Sequence, residues 1–225
     1  MRDIDTIRKE FTALADPKYA AFASRLVPTL SADKIMGVRI PVIRRFAASL
    51  SADEAEAVFA ACPHPTLDES LLHGALIDRI KNYDECIARL DGFLPYADNW
   101  EVTDCCSPKC LGRQPERLCA KMREWLSSGH VYTVRYGILT AMRHFLGGNY
   151  RPEILGEIAA VNGDYYVNTA AAWFFCEAMV KRWEDAVPYI CEGRLDGDVR
   201  KKAVRKALES FRIKGERRDY LKELK

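Results

Sequence analysis

The feature that most limits what this chain can fold into is a helical pattern that repeats. Helix-forming residues dominate, and long alternating runs of the strand type are missing. One set of helices begins near Ile40, Asp68, Asn99, Val131, Tyr165 and Asp198. Shorter helices fall between them, near 51–62, 83–94, 115–127, 151–161 and 184–192, and a helical segment precedes Pro28. The unit is thus a helix pair recurring roughly every 30 residues, a length at which helical repeats stack. One pair cannot cover its own apolar face, so each buries that face on its neighbour.

Local signals mark the boundaries. Pro41, Pro115 and Pro152 stand where first-turn prolines belong. Ser51 and Glu54 have capping-box spacing ahead of an apolar run. Gly112, Gly129, Gly147, Gly148, Gly163 and Gly197 punctuate the connections. The expected fold is all-α: a HEAT-like, right-handed solenoid of stacked antiparallel helix pairs, one domain over residues 1–225, with a concave cleft.

A long concave surface suits a polymer: a protein, a peptide or a nucleic acid. With 225 residues, 48% hydrophobic and 29% charged, the chain can bury a sizeable core. No stretch approaches the roughly 20 apolar residues of a membrane helix. The charged start, MRDIDTIRKEF, lacks the apolar run of a secretory signal. A cytoplasmic protein without membrane contact is expected. Its eight cysteines are then expected to be mostly reduced core residues. Cys105, Cys106 and Cys110 lack a CxxC pair or a histidine at ligand spacing, and His64, His73, His130 and His144 are scattered, so no metal is expected. Phosphate-binding glycine loops, HExxH and GxSxG are missing too, and no cofactor is expected.

Charge distribution says more than net charge. From Arg194 to the end there are 12 Lys or Arg against 6 Asp or Glu, while the whole chain carries only +2, which leaves the remainder acidic. Arg200, Lys201, Lys202, Arg205 and Lys206 crowd the last long helix, Arg135 and Arg143 lie on the one starting near Val131, and Arg44 and Arg45 on the first. On helices facing one groove these side chains would contact phosphates; the plainer alternative is a solvated helix face. Trp100 and Asp104 are four apart, which places an indole and a carboxylate on one helix face. Trp173 follows a run of small residues that allows close packing beside a large ring. Both tryptophans could equally be core anchors.

Taken in order, these segments resemble the AlkD-type DNA alkylation repair proteins. The resemblance rests on GVRIPVIRR at 37–45, Trp100 with Asp104, Arg135 in TVRYGIL, and Trp173 in DYYVNTAAAWFF at 164–175, and runs over roughly residues 5 to 215. It implies a glycosylase that removes cationic alkylpurines, such as 3-methyladenine and 7-methylguanine, from duplex DNA. In that family two tryptophans and an aspartate line the cleft beside the damaged nucleotide. The roles fall on Trp100, Trp173 and Asp104, and Arg135 matches a backbone-contacting arginine. One departure stands out: Cys176 with Glu177 follows Trp173 where active members place an arginine and an acid. Tyr19 and Phe22 are the candidates for an N-terminal aromatic that touches DNA. A monomer acting on alkylated duplex DNA is the expectation. The alternatives are a non-catalytic binder of damaged or branched DNA and a protein-interaction scaffold.

Overall fold

The computed structural model describes Arg2 to Leu224. Among these residues there are fourteen α-helices, three short 3-10 turns and no strand. The helices are α1 (Ile4–Thr12), α2 (Pro17–Ala23), α3 (Ile40–Ser49), α4 (Ala52–Ala60), α5 (Leu67–Ile77), α6 (Tyr83–Phe93) and α7 (Trp100–Cys105), followed by α8 (Pro115–Leu126), α9 (Val131–His144), α10 (Glu153–Ala159), α11 (Tyr165–Lys181), α12 (Trp183–Cys191), α13 (Gly197–Glu209) and α14 (Gly215–Glu223). The long set therefore starts within a residue or so of each expected position, and the shorter helices fill the expected gaps. The fold is an all-α helical repeat. None of the helices is long and apolar enough to cross a membrane.

The chain divides into two compact units, one ending at Gln114 and the other beginning at Pro115. In the first, α3, α5 and α7 pack in sequence, and α4 and α6 pack on α5. In the second, α9, α11 and α13 pack in sequence; α8 lies against α9, α10 and α12 against α11, and α14 against α13. A helix flanked on several sides loses its polar face. Accordingly α9 is buried from Tyr132 through Met142, and α5 from Leu67 through Gly74.

Polar side chains bond one period along the chain. The Met36 amide donates to the Asp68 carboxylate across 32 residues, Arg89 to Glu56 across 33, Arg123 to Glu157 across 34, Tyr150 to Asp185 across 35, and Arg135 to the Tyr166 carbonyl across 31. Equivalent positions of adjacent pairs thus face each other, the structural meaning of the repeat.

The caps follow from sequence. Ser51 Oγ accepts from the Glu54 amide at 3.3 Å and Glu54 returns the bond to the Ser51 amide at 2.9 Å, the expected capping box. Pro41 lies in the first turn of α3 and Pro115 opens α8, while Pro152 is the N-cap of α10. Gly137 on α9 lets the helix approach α8, since a Cβ there would lie 3.0–3.2 Å from Leu126.

Candidate functional site

The site in the first unit is built on α7. Asn99 is fully buried and caps the helix, its Oδ1 accepting from the Glu101 amide at 2.9 Å and the Val102 amide at 3.4 Å. This fixes where the helix starts, and so sets Trp100 and Asp104 one turn apart. Both are half-buried. The Trp100 indole N–H donates to the Leu26 carbonyl oxygen, just past α2, at 3.0 Å. Thr103 Oγ1 lies 3.4 Å from Asp104 Oδ1.

Helix α2 is itself held in place. Gly37 adopts φ +82°, and a Cβ there would lie 2.5 Å from both the Ala20 nitrogen and the Asp16 carbonyl oxygen. Only glycine satisfies both the left-handed backbone and this close approach. The amides on either side of it, Met36 and Val38, donate to the Asp68 carboxylate at 2.7 and 2.5 Å. A buried acid on α5 thereby organises the 36–38 loop, the loop supports α2, and the end of α2 orients Trp100.

Carboxyl groups gather beside this arrangement. Burial, reinforced by the Asp68 and Asp104 charges, pushes the Glu101 carboxyl up from its ordinary range. Burial also raises Asp68, against the opposing pull of the two loop amides. Tyr19 on α2 is raised by burial and by Glu101, with the Arg39 guanidinium 4.6 Å over its ring. Phe22 beside it is 54% exposed. Carboxyl groups gathered this closely make a seat of negative potential, suited to a cation.

The second unit carries the other expected residues. Trp173, on α11, is half-buried. One turn on, Cys176 is buried and its thiol is pushed up to about 11, chiefly by burial. Glu177 is bound by Arg212 through both terminal guanidinium nitrogens, so a cation from the segment after α13 stands beside Cys176. Arg135 is only 4% exposed, with Nη1 donating to the Tyr166 carbonyl at 2.8 Å. Its position joins α9 to the first turn of α11. Arg143, half-buried, lies in the last turn of α9.

The basic residues of α13 separate into distinct environments. Arg200 donates to the carbonyls of Ile190 and Leu224, each at 2.8 Å, satisfying end-of-helix acceptors of α12 and α14. Lys202 pairs with Asp198 at 2.6 Å and lies 4.5 Å from the Tyr165 ring centroid. Lys201 and Arg205 are exposed and Lys206 half-buried. Arg200, Lys201, Lys202 and Arg205 line a groove of about 490 Å³, together with Asp198, Val204 and Leu224. Arg44 and Arg45, on α3 of the first unit, are exposed.

Sequence reasoning missed Glu101, whose significance lies in its partial burial with two other acids, Asp68 and Asp104, as neighbours. It also missed an aromatic row at the starts of α9 and α11: Tyr132 with Tyr166 at 5.6 Å, Tyr166 with Tyr165 at 5.3 Å, then Lys202 of α13 over Tyr165. The signal available was the coincidence of Tyr132 and Tyr165 with consecutive helix starts.

A family model described as DNA alkylation repair enzyme matches residues 7–187. Among curated proteins none matches this chain.

Proposed function

The chain belongs to the DNA alkylation repair enzyme family, and from that premise we propose that it is a glycosylase that excises cationic N-alkylated purines from duplex DNA by hydrolysis of the N-glycosidic bond. The observation that carries the reading is the pairing of Trp100 and Asp104 on one face of α7, backed by Glu101 and Asp68. An N-alkylpurine is positively charged, and its glycosidic bond is weakened before any enzyme acts. Departure of the base leaves an oxocarbenium-like sugar. The Asp104 carboxylate stabilises that charge and directs water to it. The Trp100 face attracts the cationic base and the polarised C–H groups of the sugar, at about 0.5–2 kcal/mol per contact.

The hydrogen bond to Leu26 holds the indole in one orientation, so this contact needs no reorganisation during reaction. Trp173 on α11 supplies a second aromatic contact to the DNA. Lys201, Arg205 and Lys206 hold phosphates, with Arg44 and Arg45 as further contacts, and their cost of rearrangement is low where they are exposed. Arg200 and Arg135 keep helix ends and helix starts in register instead, because their guanidinium groups are engaged by carbonyls.

The test is incubation of the purified protein with duplex DNA carrying 7-methylguanine, followed by detection of released base. Release above the spontaneous rate supports the reading. Tight, salt-sensitive binding of the same duplex without release would replace it by a non-catalytic DNA binder.

A further inference from the structure

Outside the α7 site, three side chains with metal-ligating atoms meet at the junction of α4 and α5. Cys62 and His64 lie in the loop after α4, and His73 lies two turns into α5. Their ligand atoms all fall within 4.8 Å of one another. His64 Nε2 is 2.8 Å from His73 Nδ1. The His64 side chain is 2% exposed and His73 is 3% exposed.

We propose that Cys62 Sγ, His64 Nε2 and His73 Nδ1 form a binding site for Zn²⁺ or a similar borderline divalent cation, with the fourth tetrahedral position left to water. The donor set is one thiolate and two imidazoles, which suits zinc in both softness and number. The rings are already oriented. His73 stacks on Phe93 at 4.1 Å and 8°, with Phe59 at 4.9 Å on a tilt. His64 has its other nitrogen, Nδ1, 3.7 Å from the Glu69 carboxylate, which also pairs with Arg8 at 3.4 Å. A carboxylate behind a ligating imidazole is the usual arrangement that fixes tautomer and orientation.

The proton balance follows from that geometry. In the metal-free pair one ring N–H donates to the other ring's nitrogen; binding requires His64 to carry its proton on Nδ1, the side toward Glu69, and to present Nε2 to the ion. It likewise requires His73 to carry its proton on Nε2, with no net change. The Cys62 thiol loses its proton to solvent, one per ion bound. Two nitrogens on a tetrahedral zinc lie about 3.3 Å apart, so the rings need to separate by only about half an ångström. The bound ion would pin the 62–64 loop to α5, the helix whose first turn carries Asp68.

The experiment uses the full chain, treated with chelator, dialysed and titrated with Co²⁺ and then Zn²⁺. The expected result is one equivalent of Co²⁺ bound, with a thiolate-to-cobalt band in the near ultraviolet and tetrahedral bands in the visible, all displaced by Zn²⁺. Cys62→Ser should abolish the near-ultraviolet band, Glu69→Gln should weaken binding about 10–100-fold, and Cys191→Ser, at an exposed cysteine, should change nothing. Should Cys62→Ser fail to fold by circular dichroism, the unaltered chain decides: Zn²⁺ must slow alkylation of Cys62 by iodoacetamide and leave Cys191 unaffected. Absence of stoichiometric binding, a spectrum that persists in folded Cys62→Ser, or unprotected Cys62 would overturn the proposal.

Discussion

The indole N–H of Trp100 donates to the backbone carbonyl of Leu26 at 3.0 Å, joining α7 to the end of α2 across 74 residues. Trp100→Phe keeps an aromatic face and removes the donor. Loss of one such bond costs about 1 kcal/mol, to be read as a lower denaturant midpoint. On the proposed function, excision should fall further than stability does, because a ring no longer tethered must be ordered during reaction. Unchanged excision by Trp100→Phe would show that the tether has no part in orienting substrate.

Asp104→Asn keeps the size of the side chain and removes its charge. On the proposed mechanism, single-turnover excision should fall roughly 10²-fold or more, the scale of one lost electrostatic group, with little change in DNA affinity. A core role predicts the opposite signature: a lower melting temperature, with excision reduced only as folded protein is lost. Unchanged excision in the folded variant would remove Asp104 from the chemistry.

Lys201→Ala combined with Arg205→Ala should weaken binding to all duplex sequences alike. Removing one cation that neutralises a phosphate should reduce the steepness of log K against log salt by about 0.9. Both side chains are exposed, so the far-ultraviolet spectrum and melting temperature should not move. Arg200→Ala should behave differently, lowering stability first, since it strands the carbonyls of Ile190 and Leu224. An identical stability loss in both variants would contradict this division of roles.

Gly37→Ala should destabilise the first unit by more than about 1 kcal/mol. The added Cβ meets α2 backbone at 2.5 Å and the φ of +82° is one that L-residues avoid. Because Gly37 supports α2, the Trp100 environment should change as well, measured as a shift in tryptophan fluorescence. A neutral result would mean that the loop relaxes freely away from α2.

Acid should unfold the protein partly through Glu54 and Asp16. The Arg2 guanidinium, with the Ser51 amide, holds the Glu54 carboxyl well below its ordinary range; the Tyr19 amide and Arg39 do the same for Asp16. A carboxyl depressed in the folded state binds protons more readily when unfolded. Its stabilising contribution is therefore present above the ordinary carboxylate range and is lost as pH falls below about 4. Glu54→Gln should lower the melting temperature at pH 7 and flatten its decline between about pH 5 and 3. A decline of undiminished slope in that variant would assign the acid sensitivity to other groups.

Much of this protein was legible in its sequence, because helix starts, caps and apolar spacing are local. Pro41, Ser51, Glu54 and the period of roughly 30 residues are enough to place α3 through α13. The neighbours on α7 were legible too, since residues four apart on a helix share a face whatever surrounds them. What Arg200, Arg135, Glu101 and His73 do was not legible. Arg200 reads as one more cation in a basic run until two helix ends bring their carbonyls to it, and Glu101 reads as a surface acid until the packing of α5 on α7 half-buries it beside Asp68. Cys62, His64 and His73 carry no recognisable ligand spacing, and only the packing of α5 against the loop after α4 brings them together. Local rules act over a turn or two of chain. Burial, proton affinity and the partner of a charged group depend on segments tens of residues away, and those are decided when the helices pack.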